Sequence, residues 1–338
     1  MTVTLALAGD TMLGRGVADM VSRGVAPEDL FAPEVVAAAG EADAMVVNLE
    51  CCISERGAPW PDPDKPFFFR APPEAVSALT HLGVRCVTLA NNHALDFGAQ
   101  ALADTIDHLT EAGISCVGAG PDLDAARAPA VLRAKGLRIA VVGVTDHPAD
   151  FAAAPGRPGV AYADLRRGVP AWLAGTVGTV DADAVVVTPH WGPNMTAEPV
   201  PHVRAAARGL LEAGATLVAG HSAHVFHGVA GAVLYDLGDF IDDYWRHPGL
   251  RNDLGLLWLV TLDADGPVRL EAVPLRLEYG FTRLADGDDA AWIRSRFRAA
   301  CAALGTDVVE ARGRLVVTWC RRPVAVPPAA EEPSAQVT

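Results

Sequence analysis

Apolar runs of strand length recur through the first two-thirds of the chain, and nearly all of them stop at a polar string. The runs cover 3–8, 44–48, 84–89, 114–117, 137–144, 184–188 and 216–219. Gly9-Asp10 follows the first, and Asn48-Leu49-Glu50 closes the second. The third leads into Asn91-Asn92-His93-Ala94-Leu95-Asp96, and the fifth into Asp146-His147. The sixth leads into His190-Trp191-Gly192, and the seventh into Gly220-His221-Ser222-Ala223-His224. Amphipathic stretches at 73–82, 99–111 and 203–212 lie between the runs. Gly83, Gly113 and Gly214 close them in the manner of helix C-caps. Apolar strands alternating with helices predict an α/β sheet buried on both faces. In such a sheet ligands bind beyond the carboxyl ends of the strands.

After Gly220 the pattern changes. Runs at 233–237, 256–262, 268–275 and 315–318 follow one another with short turns, among them Asp263-Ala264-Asp265-Gly266. A helix is expected at 289–304. This part predicts a second, more antiparallel sheet packed on the first. The expected fold class is α/β, with two packed β-sheets flanked by helices. One domain spans 1–321, and the Pro, Ala and Glu content of 322–338 predicts a disordered tail. Phe67-Phe68-Phe69, in a Pro-rich stretch, reads either as core packing or as a wall over a substrate.

Composition narrows the function. The 338 residues are 51% apolar, enough for one large core. The net charge is −14 with no basic block, which argues against nucleic acid or an anionic membrane surface as the main partner. The six cysteines make no C-x-x-C pair and read as reduced, mostly buried thiols. No apolar stretch reaches the roughly 18 residues of a membrane span. The first ten residues carry no basic n-region. The expected location is therefore cytoplasmic, although a chain already trimmed of an export signal would look the same. The sequence leaves the oligomeric state open.

Each strand-end residue has an ordinary explanation alone. An Asp there usually caps a helix, and an isolated His is commonly a satisfied core or surface group. Their convergence on one rim is different. Imidazoles, carboxylates and an amide buried together without a cation would be costly. Mixed oxygen and imidazole donors suit Mn, Fe or Zn, so one or two divalent ions are expected. His93 follows Asn92 directly, so their side chains leave the backbone in different directions. Asp96, three residues on, can orient the imidazole.

The same residues carry a resemblance. GDTMLGR (9–15), NLE (48–50), KPFFFRAPPEAVSAL (65–79), LANNHALDFG (89–98), HWG (190–192), LLEAGATLVAGHSAH (210–224) and YDLGDF (235–240) occur in that order. The chain resembles the CapA, or PgsA-type, family of poly-γ-glutamate biosynthesis proteins, which is similar in fold to the calcineurin-like metallophosphoesterases. The resemblance implies metal ligands at Asp10, Glu50, Asn92, His190, His221 and His224. It implies a general acid at His93, supported by Asp96, and substrate contacts from Arg15, Trp191, Asn194 and Asp239. Met12 stands where phosphoesterases have a ligand His, and the closing motif is His-x-x-His rather than His-x-His. Asn194 replaces an expected Glu, and Asp239 a more usual Asn. These departures put a two-metal phosphatase clamp in doubt and leave room for a single firmly held ion.

The expected function is a metal-dependent enzyme acting on a peptide-like or poly-γ-glutamate-like amide or carboxylate substrate. Hydrolysis, transpeptidation and proton abstraction next to a carbonyl all suit that reading. The alternatives are a phosphoesterase and a non-catalytic metal-binding component of a polymer-synthesis complex.

Overall fold

The computed structural model describes residues 1–319. Cys320 and the tail expected at 322–338 lie outside the described residues. Two sheets face each other, and helices cover their outer sides. The ten-stranded sheet runs Val309–Ala311, Arg314–Thr318, Gly266–Glu278, Leu254–Asp263, Val3–Thr11, Ala44–Leu49, Val84–Thr88 and Ser115–Val117, with two short strands branching from it. The six-stranded sheet runs Val229–Ala230, Val233–Leu234, Leu217–Ala219, Ala184–His190, Leu137–Thr145 and Ala130–Ala134.

The two-residue period of a strand explains the layering. Leu5 and Leu7 point into the core between the sheets, where Ile139 and Val141 meet them from the other side. Ala6 and Ala8 point outward under the helices Pro33–Ala39, Val76–His81 and Gly98–Glu111. Val142 and Val144 lie under Ala171–Thr179 and Pro201–Glu212. Gly83 and Gly113, both at φ +74°, end two of these helices as the sequence predicts. The last helix, Gly287–Ala302, drives Ile293, Phe297 and Cys301 into the core between the sheets. There the Phe297 ring meets Trp258 edge-on at 5.5 Å.

One expectation needs correction. The late strands do not build their own sheet. Leu254–Asp263 pairs antiparallel with Val3–Thr11, from Val3↔Leu262 to Leu7↔Trp258. The second sheet is built instead from residues 130–234. Both of those long strands are buried on both faces, so an open edge between them would strand backbone donors and acceptors in the core. The run expected at 233–237 is also shorter. Only Val233–Leu234 is a strand, in the second sheet, and a separate strand not expected from the sequence, Asp239–Ile241, pairs with Asp10 and Thr11.

Candidate functional site

The fold brings two sets of parallel strand ends to one place. Val3–Thr11, Ala44–Leu49 and Val84–Thr88 are mutually parallel in one sheet. Leu137–Thr145, Ala184–His190 and Leu217–Ala219 are parallel in the other. His190 and His221 sit side by side in a parallel bridge. A tight turn delivers Asp239 to the same point. The buried Asp236 carboxylate accepts the N–H groups of Ala223 (2.8 Å) and Gly238 (2.9 Å), and Asp10 N donates to Gly238 O (2.9 Å). Gly9 permits that approach, because a Cβ there would lie 1.7 Å from Gly238 O.

Asp10 is the hub. Its Oδ1 accepts Asn48 Nδ2 at 2.7 Å and lies 3.5 Å from His221 Nδ1. Its Oδ2 lies 3.2 Å from His224 Nδ1, which is also 2.8 Å from Asp239 Oδ1. His190 Nδ1 is 3.4 Å from Asn48 Nδ2, and His190 Nε2 is 4.0 Å from Glu50 Oε1. Asp10, His224 and Asp239 each offer a ligand atom within 4.8 Å of the others. Among the sequence-predicted ligands and Asp239, the buried atoms Asp10 Oδ2, Glu50 Oε1, Asn92 Oδ1, His221 Nδ1 and Asp239 Oδ2 make no hydrogen bond.

Burial and neighbours divide the charges within this group. Burial, and then the Asp10 charge, push Glu50 well above the ordinary carboxylate range. Burial also raises Asp239, although His224 pulls against it. At Asp10 burial acts in the same direction, but His221 and His224 outweigh it and hold the carboxyl well below its usual range. His224 is held well above the usual imidazole range, because Asp239 and Glu50 overcome its burial. Burial, followed by the charge of His147, pushes the His190 pKa well down.

Beside this cluster stands a second arrangement. His93 Nδ1 lies 2.7 Å from Asp96 Oδ2, and the Phe69 ring stacks on the imidazole at 3.9 Å. Burial lowers the His93 pKa despite Asp96. Asp96 also accepts Phe69 N at 2.6 Å and pairs with Lys65 Nζ at 2.9 Å. Lys65 reaches on to Asn92 O at 2.8 Å. Asn91 ties the loop to the second strand through Asn48 Oδ1 (2.9 Å) and Leu49 O (2.8 Å).

The other residues singled out from the sequence are more dispersed. Exposed Arg15 sits at the rim, its Nε 3.2 Å from Asp243 Oδ2 and its guanidinium 5.4–5.9 Å from the Phe67, Phe69 and Tyr244 rings. Trp191 lies in the core under the second sheet, its indole N–H donated to Tyr235 O at 3.0 Å. Asn194 is exposed on the loop beyond it. Asp146 holds His147 Nδ1 and lies 3.3 Å from His202 Nε2, and the His147 ring is 5.2 Å from that of His190. Sequence reasoning assigned no role to Lys65 or to Tyr244, whose hydroxyl is 3.5 Å from Glu50 Oε2. Lys65 did leave a signal, as one of two lysines in the chain.

Residues 4–244 match the family described as bacterial capsule synthesis protein PGA_cap. The chain belongs to this family. The matched span contains every residue of the Asp10 cluster and of the His93–Asp96 pair. Among PGA_cap relatives, a probable polyglutamine synthesis accessory protein of Mycobacterium tuberculosis is 35% identical over 289 residues, covering 79% of this chain and 74% of that protein. The capsule biosynthesis protein CapA of Bacillus anthracis is 30% identical over 292 residues, covering 82% and 68%. Among solved structures, a hypothetical protein from Thermus thermophilus superposes with a TM-score of 0.43 at 16% identity, over 83% of this chain and 96% of that one.

Proposed function

We propose that this PGA_cap protein is a metal-dependent enzyme acting on a peptide-like or poly-γ-glutamate-like amide or carboxylate substrate. The observation that carries the reading is a set of unbonded buried donors next to an imidazole that is anchored but is not part of that set. Oxygen and imidazole donors in one buried cluster suit a divalent Mn, Fe or Zn ion. Asp10, Glu50, Asn92, His190, His221 and His224 would hold one or two such ions, and Asp239 adds a further carboxylate. A bound divalent ion supplies Lewis acidity.

The protein's own residues would do the rest. Asp96 occupies His93 Nδ1, so Nε2 is the nitrogen that gives or takes a proton. Phe69 holds the ring plane, and Lys65 holds the second oxygen of Asp96. Arg15, at the rim beside Phe69, offers a guanidinium fork to a substrate carboxylate. The relatives, named for capsule biosynthesis and polyglutamine synthesis, support the polymer class. A non-catalytic role is the second reading, favoured by the word "accessory" in the mycobacterial name.

Metal-loaded protein should cleave or rearrange γ-glutamyl oligomers, and a chelator should abolish this. A bound ion with no turnover of oligomers or of a phosphodiester would transfer the assignment to the accessory role. Phosphodiester turnover alone would make the protein a phosphoesterase.

Metal uptake should depend on pH in a defined direction. His224 Nδ1 faces Asp10 and Asp239 and keeps its proton above the ordinary imidazole pKa. A cation using that nitrogen displaces the proton, so binding tightens as pH rises towards the raised pKa and levels off above it. The slope below that point is about tenfold per pH unit for one proton. Calorimetry in buffers of different ionisation enthalpy counts the proton. A pH-independent affinity with no proton released would remove His224 Nδ1 from the donor set.

A further inference from the structure

We propose that a cavity of about 370 Å³ between the helix Gly287–Ala302 and the segment 197–204 binds a small organic carboxylate, its head on Arg296 and its apolar body against Trp292. The volume falls in the range of small-molecule sites. Ala299 and Ala303 make part of its wall apolar, and Arg204 and Glu198 also border it.

The case rests on Arg296. Its neighbours on the same helix are paired, Arg294 with Glu310 at 3.1 Å and Arg298 with Glu310 at 3.1 Å. Arg296 has no carboxylate within ion-pair distance among the described residues. Its Nη2 donates to Ala197 O at 3.2 Å, and its buried Nε makes no hydrogen bond. The guanidinium is 5.6 Å from both the Phe226 and the Trp292 rings. Burial pulls its pKa down, and no neighbouring charge opposes that. Arg204 is partly committed, to Glu198 at 3.4 Å and Pro199 O at 2.9 Å. The cavity wall therefore carries two guanidinium groups against one carboxylate, in a chain whose net charge is −14.

A half-buried guanidinium without a counter-charge is costly, and an anion relieves that cost. The planar fork suits a carboxylate or a phosphate. The tryptophan and alanine wall favours an anion with an apolar body over a bare one. Gly228 fixes the inner edge, since a Cβ there would lie 2.4 Å from Ala300 O, so the helix backbone rests directly on that segment. None of these residues belongs to the Asp10 cluster.

The test titrates the full chain with phenylacetate, neutral phenylacetamide and inorganic phosphate, read by calorimetry. Phenylacetate should bind saturably, with a Kd on the order of 1 mM for so small a probe. Phenylacetamide should bind at least about tenfold more weakly, as expected when a charge-assisted pair is lost. Arg296→Met should weaken phenylacetate by a similar factor, with a melting curve showing that the variant is folded. His221→Ala should bind phenylacetate as the unaltered protein does, which separates this site from the proposed metal centre. Equal binding of acid and amide by the unaltered protein would overturn the proposal. So would no saturation by phenylacetate, or phosphate binding more tightly than phenylacetate.

Discussion

His190→Ala and His221→Ala are expected to lose the divalent ion while keeping the fold. Both imidazoles stand at strand ends, where the two sheets meet. Neither side chain belongs to the apolar layers of the core. His190 makes one long hydrogen bond, with Asn48 at 3.4 Å, and His221 Nε2 lies 3.0 Å from Thr188 Oγ1. Loss of residues that merely orient a ligand costs 10–100-fold in metal affinity, so losing a ligand should cost more than about 10²-fold. After dialysis, metal analysis should find little ion in either variant. The melting temperature of each metal-free variant should stay close to that of the metal-free parent. Full metal content in both would exclude these histidines as ligands. Attention would then turn to His147, whose ring lies 5.2 Å from His190.

The second large effect concerns His93→Gln. Asp96 keeps Lys65 and the Phe69 N–H after this change, so the loop should remain in place. Metal content should stay near that of the parent, while turnover of an authentic substrate falls by about 10²-fold or more, the usual share of a positioned proton donor. Unchanged turnover would remove His93 from the mechanism. Loss of metal would make it a ligand and reopen the assignment of Asn91 and Asn92.

Much of this was legible in the chain because strands and polar strings are local. Asp10, Glu50, His190 and His221 each follow an apolar run directly, so the strand-end rule placed them on one rim. Sheet membership was not local. Leu254–Asp263 is apolar along nearly its whole length and would read the same in either sheet; only its pairing with Val3–Thr11 decides. The resemblance gave Asp239 as a substrate contact; its closeness to Asp10 and His224 follows from a turn braced by Asp236, and side-chain bracing has no period in a sequence. Lys65 entered only as the first residue of KPFFFRAPPEAVSAL, with no role. Its link to Asp96 spans 31 residues of loop, helix and strand, a separation that no helical or strand spacing encodes.

The partners of Asp10 have a consequence for how the protein is made. Asn48, His221, His224 and Asp239 all come from later in the chain, three of them more than 200 residues later. Contacts of such long range form late in folding. A nascent chain that has emerged only as far as the first sheet's parallel strands therefore presents Asp10 and Glu50 without their imidazoles. It has carboxylates for a passing cation but lacks the nitrogen donors that select a transition metal. The proposed site therefore gains its full set of nitrogen donors only once the segment carrying His221 and His224 has been made.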